Sequence, residues 1–490
     1  MRTRALGLVL GFGAAAGLAL ALLLAGRGAW LLGDPGGARA LACGLLALGG
    51  ALSFAGDRSL RAALGAGERG RGAQESRPSG RRPMEPRPEE LAPRWLRRLC
   101  AGLLLLWIAA LIAQFLRAPD GGWDAFSIWN ARARQLLRTA GDVRAACDGA
   151  RGLALFTLHP DYPLLLPALL AAGFRALGSR DGAGPLWLPA LISGASWLAA
   201  IAIASRLAAR ASARRGLWVA CALLTTPALA IDAGAQYAEG PLAALTCAGL
   251  ALLTLAWERG DSRGGESPHG VPGARGSLFA LAGLALGLSV SVKHEGMLAL
   301  GAAALVLLLE DDSREVSRTF RRLLFFALGA APPLALAAWF ALRYAPPGDL
   351  APNGVRAVFA LRAAQVALHR LGPVLLALAR RALFFQQWAA HLVAFALLLG
   401  ALRWRGPLPA RARRLLLWCA LMLAGFVLAF LTTPHELQWH LRTSIDRLLL
   451  QLWPVALAAL ALAGPEPGLA VAQRDPASAN ETSSAGVVSR

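Results

Sequence analysis

Four short segments of this sequence place carboxylates, histidines or a lysine beside apolar runs. A carboxylate can accept a proton from a hydroxyl group, and an ammonium or guanidinium group can hold a phosphate. These segments could therefore supply a general base and a phosphate contact. They are Asp120-Gly-Gly-Trp-Asp124-Ala-Phe-Ser-Ile-Trp-Asn130, His159-Pro-Asp161-Tyr-Pro163, Tyr237-Ala-Glu239-Gly-Pro241 and Lys293-His-Glu295-Gly296.

Most of these acidic residues also have a purely structural explanation. Asp124 can cap the helix that the residues after it predict. His159 and Asp161 can belong to a proline-bounded turn that starts the next helix. Glu239 can occupy the first turn of a helix, where a negative side chain suits the dipole. Residue types alone leave both explanations open.

Lys293 and Glu295 separate two apolar stretches, each of about 15 residues. At 1.5 Å per residue each stretch rises only about 22 Å, so the charged tetrapeptide must lie near the outer membrane interface. Charges at that depth are costly unless they are paired or functional. Lys293 can therefore form an internal ion pair with Glu295, or it can bind a phosphate or a sugar.

A fifth segment, residues 438–447, enters the last apolar run and contains His440, Arg442 and Arg447. An arginine at such a helix end can contact a phosphate group. It can equally extend its charged end to the membrane surface without any role in binding.

The composition predicts a membrane protein as the context for these residues. Hydrophobic residues make up 56% of the chain, charged residues 16%, and the mean hydropathy is +0.50. These values exceed those of ordinary soluble domains. The net charge of +21 would favour nucleic acid in a soluble protein, but here the basic residues lie in short loops between apolar runs. We therefore exclude nucleic acid and expect a lipid bilayer as partner.

The elements that must position the candidate residues are transmembrane helices. Spanning a bilayer takes roughly 20 apolar residues, and the sequence predicts an all-α integral membrane protein of about twelve such helices. The runs are approximately 5–25, 40–56, 99–116, 186–205, 216–231, 241–257, 278–292, 296–309, 323–342, 388–402, 415–433 and 448–463.

The arginine distribution predicts the orientation, because cytoplasmic loops carry the excess of basic residues. On this basis both termini are cytoplasmic, and the segments 117–184 and 343–387 face outward. Within the first of these, Asp124 to Arg138 has the pattern of a basic amphipathic helix in the interface, and 162–177 that of a re-entrant or interfacial helix. The predicted domains are a helix pair (1–56), a disordered cytoplasmic linker (57–98), the main bundle (99–463) and a disordered cytoplasmic tail (464–490).

The six cysteines have no CxxC spacing, which indicates small core residues and neither a disulfide framework nor a metal site. We assign no cofactor and no metal from the sequence.

The order of the four charged segments resembles bacterial GT-C glycosyltransferases of the family 39-like group, which includes protein mannosyltransferases and aminoarabinose transferases. The resemblance covers roughly residues 99–460. It implies a GT-C fold and transfer of a sugar from a polyprenyl-phosphate donor to a hydroxyl of a glycan, lipid or protein acceptor. The reaction would take place at the outer face of the bacterial inner membrane.

The resemblance also implies roles for the candidate residues. Asp124 matches the general base of the family, and Asp120 is close enough to compete with it. Glu239 matches an acidic residue that lines the cavity, and Arg447 an arginine that approaches the carrier phosphate. Further substrate contacts are expected at His159, Asp161, Lys293, Glu295, His440 and Arg442.

Two other functions fit this composition. A secondary transporter or lipid flippase places ionisable residues or broken helices near the bilayer midplane. The twelve runs as drawn contain no Asp, Glu, Lys or Arg and only His391 among the histidines, which disfavours proton or ion coupling. A polysaccharide polymerase or ligase would also face outward, and a carrier-specific sugar-transfer assay would separate it from the enzyme proposed by resemblance.

Overall fold

The computed structural model describes residues 93–152, 159–177, 179, 185–261, 274–310, 316–345, 361–384 and 408–463. Every secondary-structure element in these ranges is a helix, which confirms the all-α class for this part of the chain. The predicted runs 5–25, 40–56 and 388–402, the tail, and the linker up to residue 92 lie outside the described residues.

Fourteen α-helices follow one another along the described chain, with a π-helical turn at Ala125–Trp129 before the second. They are α1 (Arg94–Arg117), α2 (Asn130–Arg138), α3 (Val143–Gly152), α4 (Leu165–Ala176), α5 (Trp187–Ala208), α6 (Ala213–Leu224), α7 (Pro227–Gly234), α8 (Glu239–Asp261), α9 (Ala274–Val290), α10 (Glu295–Leu309), α11 (Val316–Arg343), α12 (Leu361–Phe384), α13 (Ala410–Thr432) and α14 (Leu437–Ala463).

Six of these helices, α1, α5, α8, α11, α13 and α14, are long and apolar enough to cross a membrane. The pair α6 and α7 makes a seventh if it is counted as one broken span, with a bend of 58°. The predicted number of about twelve spans is thus not confirmed by the described residues. The protein has several candidate spans, as a multi-pass membrane protein requires.

The predicted run 216–231 is interrupted because of a proline. Thr226, just before Pro227, adopts an extended conformation with φ −87° and ψ 100°. A residue that precedes proline is pushed out of the α region, and proline itself cannot donate the helical hydrogen bond. The chain therefore ends α6 and starts α7 in a new direction.

The central helix of the bundle is α8, which is buried along nearly its whole length. It packs against α5, α9 and α14, while α1 covers α6 and α7 with one side and exposes its other side. Five parts of the chain meet at one end of this bundle: the segment after α1, the segment before α4, the start of α8, the start of α10 and the start of α14. The candidate residues lie at that end.

Candidate active site

The loop after α1 is attached to the connection between α7 and α8. Gly122 N–H donates to the Ala235 carbonyl at 2.9 Å, and the Asn130 side-chain amide donates to Gln236 Oε1 at 2.8 Å. Gly121 has φ +82°, a conformation that glycine adopts without strain. A side chain at Gly122 would meet the Tyr237 ring. The turn at Gly121 and Gly122 brings Asp124 against the start of α8.

Asp124 forms an ion pair with Arg447 of α14. Its carboxylate makes no capping hydrogen bond, so the alternative explanation of Asp124 as a helix cap is wrong. The physical reason is that its backbone is already helical, at φ −66° and ψ −34°, whereas a capping residue needs an extended backbone. The carboxylate is therefore directed to a cation of another helix.

Asp120 lies outside this contact. Its carboxylate pairs with Arg134 of α2 at 2.9 Å, and its side chain is 52% exposed, against 19% for Asp124. Because the carboxylate is mostly in solvent, its pair with Arg134 contributes little to stability. The structure thus separates the two aspartates that the sequence left in competition.

Glu239 and Lys293 form a buried ion pair with 2.8 Å between Oε1 and Nζ. The Lys293 ammonium also lies 2.9 Å from Glu295, and the Arg447 guanidinium lies 3.7 Å from Glu239 Oε1. Asp124, Arg447, Glu239, Lys293 and Glu295 thus form one continuous set of charges, called the charged cluster below.

Lys293 is held in its charged form by its two carboxylate partners. Burial by itself lowers the pKa of this lysine, but the nearby carboxylates of Glu239 and Glu295 outweigh burial and raise it above the ordinary value. The expected internal pair of Lys293 with Glu295 is confirmed, and Glu239 is a second partner that was not expected. The role of Lys293 in binding a substrate stays a prediction.

Two carboxylate oxygens of the charged cluster lack a hydrogen-bond donor. Glu239 Oε2 and Glu295 Oε2 are both buried and bond to no group among the described residues. Such unsatisfied acceptors are rare and need an explanation. Hydroxyl groups of a ligand could satisfy them.

The segment before α4 borders the charged cluster with aromatic rings. Tyr162 stacks between Trp129 and His159, with ring centroids at 5.5 and 4.6 Å, and its ring lies 6.0 Å from the Lys293 ammonium. His159 has φ +57°, an uncommon conformation for a side-chain-bearing residue. Asp161 is buried and lies 3.5 Å from His294.

Arg132 of α2 holds this segment by its backbone. Its guanidinium donates to the carbonyls of Tyr162 at 2.6 Å and Pro160 at 3.4 Å. Burial lowers the pKa of Arg132 to about 10. The helix of the amphipathic stretch packs against α4, with Ala133 and Leu136 buried. Its position at the membrane interface stays a prediction.

His440 and Arg442 precede Arg447 in the first turns of α14. His440 Nδ1 is 2.9 Å from Thr433 Oγ1, and its ring contacts Phe430. Arg442 is exposed, and its charge acts on Glu436. The structure does not bring Arg442 into the charged cluster.

Three residues near the charged cluster were not identified as candidates from the sequence. Tyr237 lies under the Arg447 guanidinium, 5.4 Å from ring centroid to Cζ, and burial followed by the Asp124 charge raises the pKa of its hydroxyl to about 12. Gln236 bonds the Pro119 carbonyl at 2.8 Å. Asp232 of α7 is buried and accepts a hydrogen bond from the Trp197 indole at 2.8 Å. The sequence contains a weak signal for two of these residues. Tyr237 lies in the same short motif as Glu239, and Asp232 follows the helix-breaking Pro227.

No family model, curated protein or solved structure matches this chain. Any functional conclusion must therefore come from the chemistry of the charged cluster. Three carboxylates and two cations give it a net charge of −1 if all are ionised. Among the described residues no group of three or more His, Cys, Asp or Glu side chains is arranged to hold a metal ion.

Proposed function

We propose that this protein is a membrane glycosyltransferase that moves a sugar from a polyprenyl-phosphate carrier to an acceptor hydroxyl. The observation that carries the proposal is the ion pair between Asp124 and Arg447, which are 323 residues apart in the chain. A carboxylate base beside a guanidinium is the combination that this transfer needs, since one group takes a proton and the other holds a phosphate.

In the proposed reaction the acceptor hydroxyl gives its proton to the Asp124 carboxylate as its oxygen bonds to the anomeric carbon of the sugar. The bond between that carbon and the phosphate oxygen breaks, and its electron pair leaves with the lipid phosphate. The phosphate is a weak base, so it needs no strong acid, and Arg447 can stabilise its charge. A single displacement of this kind inverts the anomeric carbon.

The unsatisfied oxygens of the charged cluster support a sugar as the ligand. Glu239 Oε2 and Glu295 Oε2 are acceptors, and sugar hydroxyls are donors. A carboxylate that accepts from a hydroxyl fixes the orientation of the ring, and orientation is a large part of the rate gain in such reactions.

The position of the cluster also supports a lipid carrier. Asp124 follows α1, Glu239 and Glu295 lie in the first turns of α8 and α10, and Arg447 directly precedes the apolar run 448–463 of α14. The polar head of a polyprenyl phosphate lies at the surface of the bilayer, where such apolar stretches end. The outward orientation and the bacterial inner membrane belong to the proposal, as do the GT-C class and the glycan, lipid or protein acceptor.

A transfer assay tests the proposal. The full-length protein in lipid nanodiscs would be incubated with a panel of radiolabelled polyprenyl-phosphate sugars and a bacterial envelope extract as acceptor. We expect release of the free polyprenyl phosphate and label in the acceptor fraction, both dependent on Asp124. A protein that transfers no sugar from any member of the panel would contradict the proposal.

A proton-coupled lipid flippase is the second candidate, and Asp232 is the observation that favours it. This carboxylate is buried in α7, one half of a broken span, and such breaks line the substrate paths of many transporters. A flippase would move a fluorescent polyprenyl-phosphate lipid between the leaflets of a proteoliposome, with loss of movement in Asp232→Asn. Sugar transfer without lipid movement would exclude it.

A further inference from the structure

The two cations of the charged cluster differ in their freedom to take a new partner. Lys293 is bonded by two carboxylates and its side chain is 5% exposed. Arg447 is 22% exposed and forms its closest charged contact with Asp124. An incoming anion therefore meets Arg447 before it can reach Lys293.

The guanidinium of Arg447 has donors to offer. Its Nε donates to the Thr443 carbonyl at 3.1 Å, and its Nη1 donates to Asp124. Its Nη2 makes no hydrogen bond to any residue that the structure describes. A phosphate oxygen can thus attach at Nη2 first and then compete for Nη1, as bidentate arginine–phosphate contacts do.

The charge balance favours this competition. The cluster already carries three carboxylates against two cations, so an added phosphate raises the excess of negative charge in a partly buried site. Such a charge is costly unless it is paired with a cation. Arg447 is the cation that can pair with it, and Asp124 is the partner that it would leave.

Tyr237 keeps the guanidinium in place during the exchange. The Arg447 Cζ atom lies 5.4 Å from the centroid of the Tyr237 ring, a contact that does not depend on Asp124. A rotation over this ring can change the hydrogen-bond partner of Nη1 while the contact with Tyr237 is kept.

We propose that Asp124 and the phosphate of the carrier compete for Arg447, so that binding of the donor releases the Asp124 carboxylate. This inference rests on the proposed function. A carboxylate can accept several hydrogen bonds, but the ion pair with Arg447 holds the Asp124 carboxylate toward the guanidinium. Its release lets the carboxylate turn toward an attacking hydroxyl, which favours an order in which the donor binds before the acceptor reacts.

Binding of undecaprenyl phosphate to the full-length protein in nanodiscs tests the competition without any sugar transfer. We expect Asp124→Asn to bind this lipid about tenfold more tightly than the wild type, since a coupling between two competing groups commonly has this size. The matched control is Asp446→Asn, which removes a carboxylate next to Arg447 in the chain. Asp446 pairs with Arg381 at 3.3 Å, so this variant should bind like the wild type.

The role of Arg447 is tested in the background of Arg447→Gln. There the change Asp124→Asn should give no gain in binding, because the shared partner is absent. If Asp124→Asn does not fold, as judged by its unfolding temperature, Asp124→Ser serves in its place.

Three results would overturn the competition: no gain in Asp124→Asn, an equal gain in Asp446→Asn, or a gain that persists with Arg447→Gln. If neither the wild type nor any variant binds undecaprenyl phosphate, the carrier class itself is wrong, and the proposed function fails together with the competition. Normal sugar transfer with no gain in Asp124→Asn would reject the competition alone.

Discussion

At the scale of single residues, Asp124 is the candidate base because it is a partly exposed carboxylate paired with Arg447. Glu239 is 1% exposed and is engaged by both Lys293 and Arg447. Asp120 is exposed and belongs to Arg134. Of these three acidic residues, Asp124 alone combines partial exposure with contact to Arg447.

We predict that Asp124→Asn lowers sugar transfer on the order of a hundredfold or more, the scale of general-base loss, because the amide cannot take a proton. Its unfolding temperature should stay close to that of the wild type, since the Arg447 guanidinium keeps Glu239 as a carboxylate neighbour at 3.7 Å. Rates of transfer and thermal unfolding would be measured on the same preparation. An active Asp124→Asn protein with an inactive Asp120→Asn protein would assign the base to Asp120.

The second residue-scale prediction concerns Lys293. Lys293→Met leaves Glu239 and Glu295 without their shared cation, and breaking a buried pair commonly costs about 3–5 kcal/mol. The unfolding temperature should therefore fall, and it should recover in part in the double variant Lys293→Met/Glu239→Gln, which also removes the buried charge.

The matched control for Lys293 is Arg134→Met, which breaks an ion pair whose carboxylate partner, Asp120, is 52% exposed. Exposed pairs contribute about 0–1 kcal/mol, so this variant should unfold close to the wild type. Equal decreases in the unfolding temperature of Arg134→Met and Lys293→Met would show that burial does not increase the contribution of the Lys293 pair to stability.

Residue types and local spacing were enough to identify Asp124, Glu239, Lys293, Glu295 and Arg447 as candidates. They could not identify which charged side chains form ion pairs, because Arg447 contacts Asp124 only through the packing of α14 against the rest of the bundle. They also kept Arg442 as a weaker candidate, which has the same charge as Arg447 but lies on an exposed part of α14.

At the scale of elements, the loop between α1 and the π-helical turn sets the position of the base. A side-chain carbon at Gly121 would lie 2.7 Å from the Ala235 carbonyl oxygen, and the φ of +82° disfavours any other residue. The backbone of this loop thus has little freedom to change.

We predict that Gly121→Ala lowers the stability by at least about 1–2 kcal/mol, the cost of a left-handed conformation for a residue with a side chain. Sugar transfer should fall as well, because Asp124 would move away from Arg447. The control is Gly102→Ala on α1, where a side-chain carbon meets nothing within 4 Å. Alanine favours a helix, so this control should be neutral or slightly stabilising. Equal unfolding temperatures for the two variants would contradict the argument.

Most helices in the described ranges could be predicted because hydrophobic length is a strong signal. Whether each apolar run forms one continuous helix could not be predicted in the same way. The run 216–231 contains no charge to mark a break, yet Pro227 splits it into α6 and α7. Lys293 and its neighbours likewise separate α9 and α10, both too short to count among the six spans.

At the scale of the whole molecule, the two ends of the bundle carry different charges. The end opposite the charged cluster is rich in arginine: Arg210 pairs with Glu258, and Arg413 pairs with Glu310 at 2.6 Å. An excess of arginine is typical of the cytoplasmic side. This distribution agrees with the prediction that the charged cluster faces outward.

Cysteine labelling tests this orientation. In a variant that retains only Cys147, a partly exposed residue of α3, an impermeant maleimide should label intact bacterial spheroplasts. A cysteine introduced by Arg321→Cys, at the opposite end of the bundle, should react only after permeabilisation. Labelling of Cys147 restricted to permeabilised cells would reverse the orientation and remove the outward-facing enzyme.

The π-helical turn at Ala125–Trp129 has a consequence for how this protein can vary. A π-helical turn contains one residue more than the α-helical path it replaces, and each α-helical residue corresponds to a rotation of about 100°. The direction of Asp124 relative to the buried face of α2 therefore differs, by the rotation of one residue, from the direction it would have in an uninterrupted α-helix. A chain that lost a single residue here could form an uninterrupted helix. It would then keep either the direction of Asp124 toward Arg447 or the contact of Ala133 and Leu136 with the bundle, but not both.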